Sequence, residues 1–301
     1  METRVLPYNV ESIAEATRLI LAGEAVAVPT ETVYGLAADA TNAQAVAQIY
    51  KAKGRPGFNP LIVHLPDLAA AARIGDLSSE AQNLAERYWP GPLTLVVPLR
   101  ATAGIASIVT AGLSTIGIRV PAHPAMQALL RTSGRPLAAP SANTSGSISP
   151  TRAEHVLKSL DKRILLIIDG GPTERGLEST IVGATGGPFR LLRPGPIMIH
   201  AETAVGEKIE APGQLASHYA PSKPVRLSAI SSEEDEFLIG FGTIAGDANL
   251  SSSGDLIEAA ARLFDALHRA DESPKTRIAV ASIPNDGLGI AINDRLRRAA
   301  A

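Results

Sequence analysis

Two cations stand two positions apart at a turn. Lys53 and Arg55 bracket Gly54, ahead of Pro56-Gly57, and Lys51 precedes them. Lysine supplies a point charge and arginine a planar fork that matches phosphate oxygens. Around a turn the pair can converge on one anion. Read alone, cations ending a helix are dipole partners, and that reading stays open. No acidic residue stands four positions from either one, so both are expected to be exposed. A second polar cluster, Thr30-Glu31-Thr32 in Pro29–Leu36, follows a short apolar strand. Ligands of α/β proteins gather at strand ends, although a hydroxyl-rich turn can simply cap a helix. A third, Ser141-Ala142-Asn143, leads into the small-residue loop Ser145–Pro150. Such loops aim N–H groups and hydroxyls at phosphates, or cap the next helix. Arg193, at a strand end, is a further candidate anion contact.

Several chemistries are excluded. The chain has no cysteine, which removes disulfides, thiolate metal sites and cysteine nucleophiles. No two of the six histidines have a His-x3-His or His-Glu-x2-His spacing, so a histidine zinc site is not expected. There is no Gly-x-Ser-x-Gly elbow and no Gly-x4-Gly-Lys-Ser/Thr loop. His64 ends an apolar strand and can face a site, and His123 precedes a helix as an entry residue. Of the 301 residues, 28 are Lys or Arg and 30 are Asp or Glu, a net charge of −2. That balance argues against an obligate nucleic-acid coat protein. Aromatic residues make up 4%, too few for a base-stacking surface. The apolar runs Leu61–Leu65 and Ile164–Ile168 are far short of the ~20 residues of a membrane helix. With no signal-like N-terminus, a cytoplasmic protein with no membrane partner is the expectation.

These residues need a sheet to hold them. Val10–Leu21 carries apolar residues at helical spacing up to Gly23, and Asn42–Ala52 reads as a helix ended by Gly54 and Pro56. Ser79–Tyr88, Pro124–Arg131 and Thr151–Leu160 read as further helices. Ala25–Val28, Leu61–Leu65, Leu93–Pro98, Thr115–Val120, Ile164–Asp169, Ser179–Val182 and Phe189–Leu192 read as strands. The mixture predicts an α/β fold. Polar residues with Pro212-Gly213 and Pro221 then break the rhythm. Residues 1–206 are read as the catalytic domain, 207–223 as a linker and 224–301 as a small α/β domain. In the last, Val225–Leu227, Phe237–Phe241 and Arg277–Ile283 read as strands, with helices over Leu256–Leu267 and Ile290–Arg298.

Taken together and in order, the motifs resemble the threonylcarbamoyl-AMP synthase family, built on the YrdC-like domain. The matching stretches are Pro29–Leu36, Lys51–Pro56, Asn59–His64, Trp89–Thr94, Ile118–Pro124, Ala139–Asn143, Glu178–Ile181, Leu192–Pro196 and His218–Pro221. The last, with an α/β segment after it, is similar to the family's longer, two-domain branch.

The resemblance implies an open twisted-sheet domain around a large basic cavity, with a small Rossmann-like domain after it. It implies a reaction in which L-threonine, bicarbonate or CO2 and ATP give threonylcarbamoyl-AMP and pyrophosphate. Downstream tRNA threonylcarbamoyl transferase proteins would pass the group to tRNA, which this chain meets only indirectly. Family nucleotide contacts fall on Lys53, Arg55, Asn59, Thr115, Ser141, Asn143, Ser149 and Arg193, with Lys53 and Arg55 in the catalytic role. Threonine contacts fall on Thr32, His64, Arg119, Ala139 through its backbone, and Ser179. The motifs offer few carboxylates, so Mg2+ is expected to be held by ATP phosphates and water, not by protein side chains. His218 and Tyr219, an aromatic pair in a polar stretch after a Pro-Gly hinge, are expected to form a lid, with docking of the second domain as the plain alternative. The contrasting expectation is an RNA-binding module of the same fold without its own adenylation activity.

Overall fold

The computed structural model describes residues 2–199, 201–203, 210–213 and 218–301. The expected boundary at 206 and the polar linker positions 207–209 and 214–217 lie outside the described residues.

One mixed sheet spans the first two-thirds. Its strands are β1 (Arg4–Pro7), β2 (Val26–Pro29), β3 (Tyr34–Asp39), β4 (Ile62–His64), β5 (Leu93–Pro98), β6 (Thr115–Arg119), β7 (Leu137–Ala138), β8 (Leu166–Asp169), β9 (Thr180–Gly183), β10 (Arg190–Arg193) and β11 (Glu202–Thr203). Their order is β1-β8-β2-β3-β7-β4-β6-β5-β9-β10-β11. The helices are α1 (Val10–Leu21), α2 (Ala43–Lys53), α3 (Leu68–Ile74), α4 (Ser79–Tyr88), α5 (Ser107–Thr110), α6 (Pro124–Ser133) and α7 (Ala153–Leu160).

Alternation along the central strands divides the core. Ala27 and Ile167 face the cluster containing α2, α3 and α7, whereas Val26, Val28, Leu166 and Ile168 face the cluster of α1 and α6. Strands buried on both faces need apolar residues at consecutive positions, which is why Ala25–Val28 and Ile164–Ile168 read as unbroken runs. Local signals fix the helix ends. Asn9 closes a capping box with Ser12 at the start of α1, and Asn42 accepts the N–H groups of Gln44 and Ala45 at the start of α2. Gly54, at φ 60°, ends α2 in the left-handed conformation that glycine adopts without strain. His123 caps α6 through Nδ1.

A second, all-parallel sheet contains β12 (Val225–Ala229), β13 (Glu236–Gly240), β14 (Ala248–Asn249) and β15 (Arg277–Ala281), in the order β12-β15-β13-β14. Helices α8 (Leu256–Glu272) and α9 (Gly289–Ala299) accompany it. Its core extends into the first unit, taking in Val33, Ile148 and Leu177, with Tyr219 between them and Phe264. The α/β expectation therefore stands for both parts.

Candidate active site

The site is assembled from the ends of several elements. Its floor is the turn between β2 and β3, which pair antiparallel with Val28 opposite Gly35. Thr30 Oγ1 accepts the N–H groups of Thr32 and Val33 and donates to the Val33 carbonyl at 2.7 Å. Its hydroxyl thus stabilises its own turn and does not cap a helix. Glu31 is buried beneath it. Arg119, at the end of β6, donates from Nη2 to Glu31 Oε1 at 2.6 Å, from Nη1 to Thr32 Oγ1 at 3.0 Å and from Nε to the Gly91 carbonyl at 3.2 Å. Burial pushes the Glu31 carboxyl up, but Arg119 outweighs it and holds the group below the usual range. His64 sits opposite Arg119 in the β4–β6 register. Its Nδ1 is buried without a partner among the described residues. Burial and the neighbouring Arg119 push its pKa down to about 3, so the ring is neutral at pH 7.

The second wall is the strap after β7. The Pro140 carbonyl accepts from Leu36 N and Ala142 N donates to the Tyr34 carbonyl, both at 2.8 Å, which extends the β3 edge through Ser141. Lys53 projects from the end of α2 and donates from Nζ to the carbonyls of Ser141 (2.6 Å) and Asn143 (2.5 Å). Asn143 Nδ2 ties the loop to the carbonyls of Thr144 and Ser147. Beyond the left-handed Gly54 turn, Arg55 donates to the carbonyls of Asn59 (3.1 Å) and Pro60 (2.9 Å).

The third wall comes from β9 and β10. Arg193 donates to the Ser179 carbonyl from Nε and Nη2, and to Ser179 Oγ at 3.1 Å. Ser179 Oγ lies 2.7 Å from Thr94 Oγ1. Glu178, beside it, accepts from Ser149 Oγ and from Arg295 of α9.

Residues from the interdomain segment close the mouth. Ala211 packs on Ile62, Val96, Ile181 and Leu192, and Glu210 pairs with Arg190 at 2.7 Å. Pro212, Gly213, His218 and Tyr219 line the cavity. The Tyr219 ring meets His218 edge-on at 4.1 Å and lies under Arg295 at 5.2 Å.

The structure brings Thr32, His64, Arg119, Ala139, Ser179, Arg55, Ser141 and Arg193 around one cavity with His218 and Tyr219. Lys53, Asn59, Asn143 and Ser149 stand behind that lining: Lys53 and Asn143 brace the strap, Asn59 holds Arg55 and Ser149 holds Glu178. Thr115 lies in an adjoining crevice covered by residues 210–212.

Two expectations are corrected. Lys53 and Arg55 are not exposed: they are 3% and 8% accessible, because Gly54 turns Arg55 back under the helix end. Burial, with Arg55 alongside, holds Lys53 well below the usual lysine range, and burial lowers Arg55 to about 10. The cavity is not large. Its volume is about 50 Å3, with Pro212, Gly213, His218 and Tyr219 in its lining.

Glu31 belongs to the polar cluster seen in the sequence but carries no site role there, and Glu178 and Arg295 are not among the candidate site residues. For Arg295 a signal existed. Ala291, Ile292, Leu296 and Ala299 form the buried stripe of α9, and Arg295 falls on that stripe.

Residues 18–195 match the Sua5/YciO/YrdC family described as telomere recombination, and residues 173–301 match the threonylcarbamoyl-AMP synthase C-terminal domain. A threonylcarbamoyl-AMP synthase of Bacillus subtilis (strain 168) is 42% identical, over 99% of this chain and 95% of the relative. The chain belongs to the threonylcarbamoyl-AMP synthase family. A synthase of Pyrococcus abyssi is 39% identical, over 94% of this chain and 92% of its own length. The crystal structure of P. abyssi Sua5 complexed with L-threonine superposes with a TM-score of 0.90 at 35% identity, covering 100% of this chain and 98% of that one.

Proposed function

We propose that this member of the threonylcarbamoyl-AMP synthase family joins L-threonine, CO2 or bicarbonate, and ATP into threonylcarbamoyl-AMP and pyrophosphate. The observation that carries the reading is one cavity that sets the Arg119–Thr32 pair and neutral His64 beside two arginines, Arg55 and Arg193, that make no salt bridge among the described residues.

The threonine amine attacks carbon dioxide, forming a C–N bond and, after loss of a proton, a carbamate. A carbamate oxygen attacks the α-phosphorus of ATP, and pyrophosphate leaves with the bonding pair of the broken P–O bond. No covalent enzyme nucleophile is needed, so catalysis rests on positioning and on charge at the phosphates. Three of the five N–H groups of Arg119 are engaged with Gly91, Thr32 and Glu31. The two others, one on each terminal nitrogen, suit the threonine carboxylate. Thr32, His64 and Ser179 are the polar groups for its hydroxyl and amine, with the Ala139 backbone beside them. Arg55, with Nη1 unengaged among the described residues, and Arg193 suit the phosphates. Lys53 holds the Ser141–Asn143 strap in place. Asn59, Thr115, Asn143 and Ser149 complete the nucleotide side once the mouth opens.

The small volume favours an opening of the mouth for ATP. Ligand pockets run about 300–1,000 Å3, whereas this one holds about 50 Å3. Residues 207–223 therefore act as a lid between the domain of residues 1–206 and that of 224–301. His218 and Tyr219 are its inner surface, shielding an acyl phosphate from water.

For Mg2+, the donor set is a poor cage. Among the described residues no three acidic or histidine side chains stand together. Glu178, the carboxylate on the cavity wall, is already bonded to Ser149 and Arg295. The ion would enter with ATP, held by phosphates and water. The product is passed to partner proteins that modify tRNA. Direct RNA binding through this site is disfavoured because Lys53, Arg55, Arg119 and Arg193 are all at most 8% accessible, and a backbone of phosphates needs exposed cations. Among the described residues no helix is long and apolar enough to cross a membrane. We keep the cytoplasm as the proposed location. The test is threonine-dependent pyrophosphate release by the full chain, with loss of that dependence as the contrary outcome.

A further inference from the structure

Arg295 is fully buried, yet it belongs to α9 of the second domain, far from the first sheet in sequence. Its three nitrogens are each engaged. Nε donates to Glu178 Oε2 at 2.8 Å, Nη1 to Asp294 Oδ2 at 2.6 Å and Nη2 to the Pro194 carbonyl at 2.9 Å. Its guanidinium carbon also lies 5.2 Å from the centre of the Tyr219 ring. A buried ion pair is a poor way to dock a helix, since a well-packed apolar residue commonly serves as well or better. Leu296 and Ile292 of the same helix already lie in the apolar cluster that takes in Val33, Ile148 and Leu177 of the first unit. The charge therefore calls for a reason other than adhesion.

Glu178 supplies it. This carboxylate lies on the cavity wall next to Ser179, whose oxygens hold Arg193. Burial pushes its carboxyl up, but Arg295 and Arg193 outweigh it and keep the group ionised. Asp294, the other acid near Arg295, also accepts from Arg298 at 3.1 Å. Arg193 is the other cation whose charge acts on Glu178.

We propose that Arg295 is a positioning residue through which the second domain sets the charge of the cavity: it takes the Glu178 carboxylate and leaves Arg193 and Arg55 for the nucleotide phosphates. The same guanidinium holds the Tyr219 ring, so domain docking, lid placement and cavity charge share one side chain. The inference rests on the cavity being the ATP site of the proposed reaction.

The experiment measures ATP binding by the full chain, at a temperature where each variant is folded by circular dichroism. Arg295→Gln keeps hydrogen-bonding reach and removes the charge. It is expected to weaken ATP binding about tenfold or more, as loss of one partner of a buried charge pair does. Adding Glu178→Gln should restore most of that loss, because no unpaired carboxylate remains and Ser149 can still donate to the new amide. Helix docking alone does not predict that rescue. Binding within twofold of wild type for Arg295→Gln, or a double variant no better than the single one, would overturn the proposal. Should Arg295→Gln not fold, Arg295→Lys decides. Lysine keeps the charge, so adding Glu178→Gln should improve ATP binding less than about threefold. A tenfold improvement there would overturn the proposal too. A wild-type protein that binds ATP but releases no pyrophosphate with threonine would instead count against the proposed reaction.

Discussion

Lys53 Nζ lies 2.6 Å from the main-chain carbonyl of Ser141, so a side chain at the end of one helix fixes a strap 88 residues further on. Two motifs that read as separate anion sites are one unit, with Lys53 as its brace and Arg55 as its cation on the cavity.

This division of labour predicts different losses at neighbouring positions. Lys53→Met should lower thermal stability, because the buried Asn143 carbonyl and the part-buried Ser141 carbonyl lose their donor, at about 1–3 kcal/mol for an unsatisfied group. Arg55→Ala should cut pyrophosphate release roughly 10- to 150-fold, the value of one lost charge-assisted contact of about 1.5–3 kcal/mol. Melting curves and steady-state kinetics check both. A Lys53→Met protein as stable as wild type contradicts the bracing role.

Arg119 should govern threonine and not ATP. Arg119→Lys keeps a charge but lacks the fork that reaches Glu31, Thr32 and Gly91 together. The apparent KM for threonine should rise about tenfold or more, the worth of roughly 1.4 kcal/mol, with KM for ATP within about threefold. Equal rises in both would move the threonine pocket elsewhere.

The mouth turns on Gly213, whose φ is +83°. A methyl group there would meet Tyr219 Oη at 2.8 Å and Arg193 Cδ at 2.9 Å. Gly213→Ala is expected to wedge the lid from the wall. Stored threonylcarbamoyl-AMP should then hydrolyse faster in its presence than with wild type, followed by chromatography of the intermediate over time. An unchanged product lifetime, with unchanged turnover, argues against the lid.

Acid should destabilise this fold before carboxylates titrate. His64, His155 and His218 are pushed down to about 3 and His268 to about 4, in every case chiefly by burial. Unfolded histidine titrates near 6.5. Between these values the unfolded chain binds protons that the folded chain does not. Stability is therefore complete above about pH 6.5 and falls as the pH drops toward the folded values. Urea midpoints at pH 7.5, 6.5 and 5.5 should decline with an uptake of roughly three to four protons on unfolding at the lowest of them. A flat midpoint across that range contradicts neutral buried rings.

Periodic segments were legible from local signals. Val10–Leu21 and Ser79–Tyr88 follow from apolar spacing, and Gly54 marks the end of α2. In Pro29–Leu36 the sequence shows a polar turn; Gly35 and small residues dilute any strand pattern over Tyr34–Asp39, and pairing with β2 makes it a strand. Leu68–Ile74 and Arg4–Pro7 carry no periodic signal that marks an element. Local context misjudged exposure for Lys53 and Arg55: their partners are main-chain carbonyls, which leave no trace in residue type. Glu31 had its partner 88 positions away and Glu178 had one 117 positions away, beyond any spacing rule. Cavity size was not legible either, since it depends on Pro212, Gly213, His218 and Tyr219 standing at the mouth.

The most direct test is a balanced product analysis of the full chain with ATP, L-threonine and carbon-labelled bicarbonate. The account predicts labelled threonylcarbamoyl-AMP and pyrophosphate in equal amounts, with neither formed when threonine is omitted. Pyrophosphate released at the same rate without threonine, or an adenylate carrying no bicarbonate carbon, would contradict it.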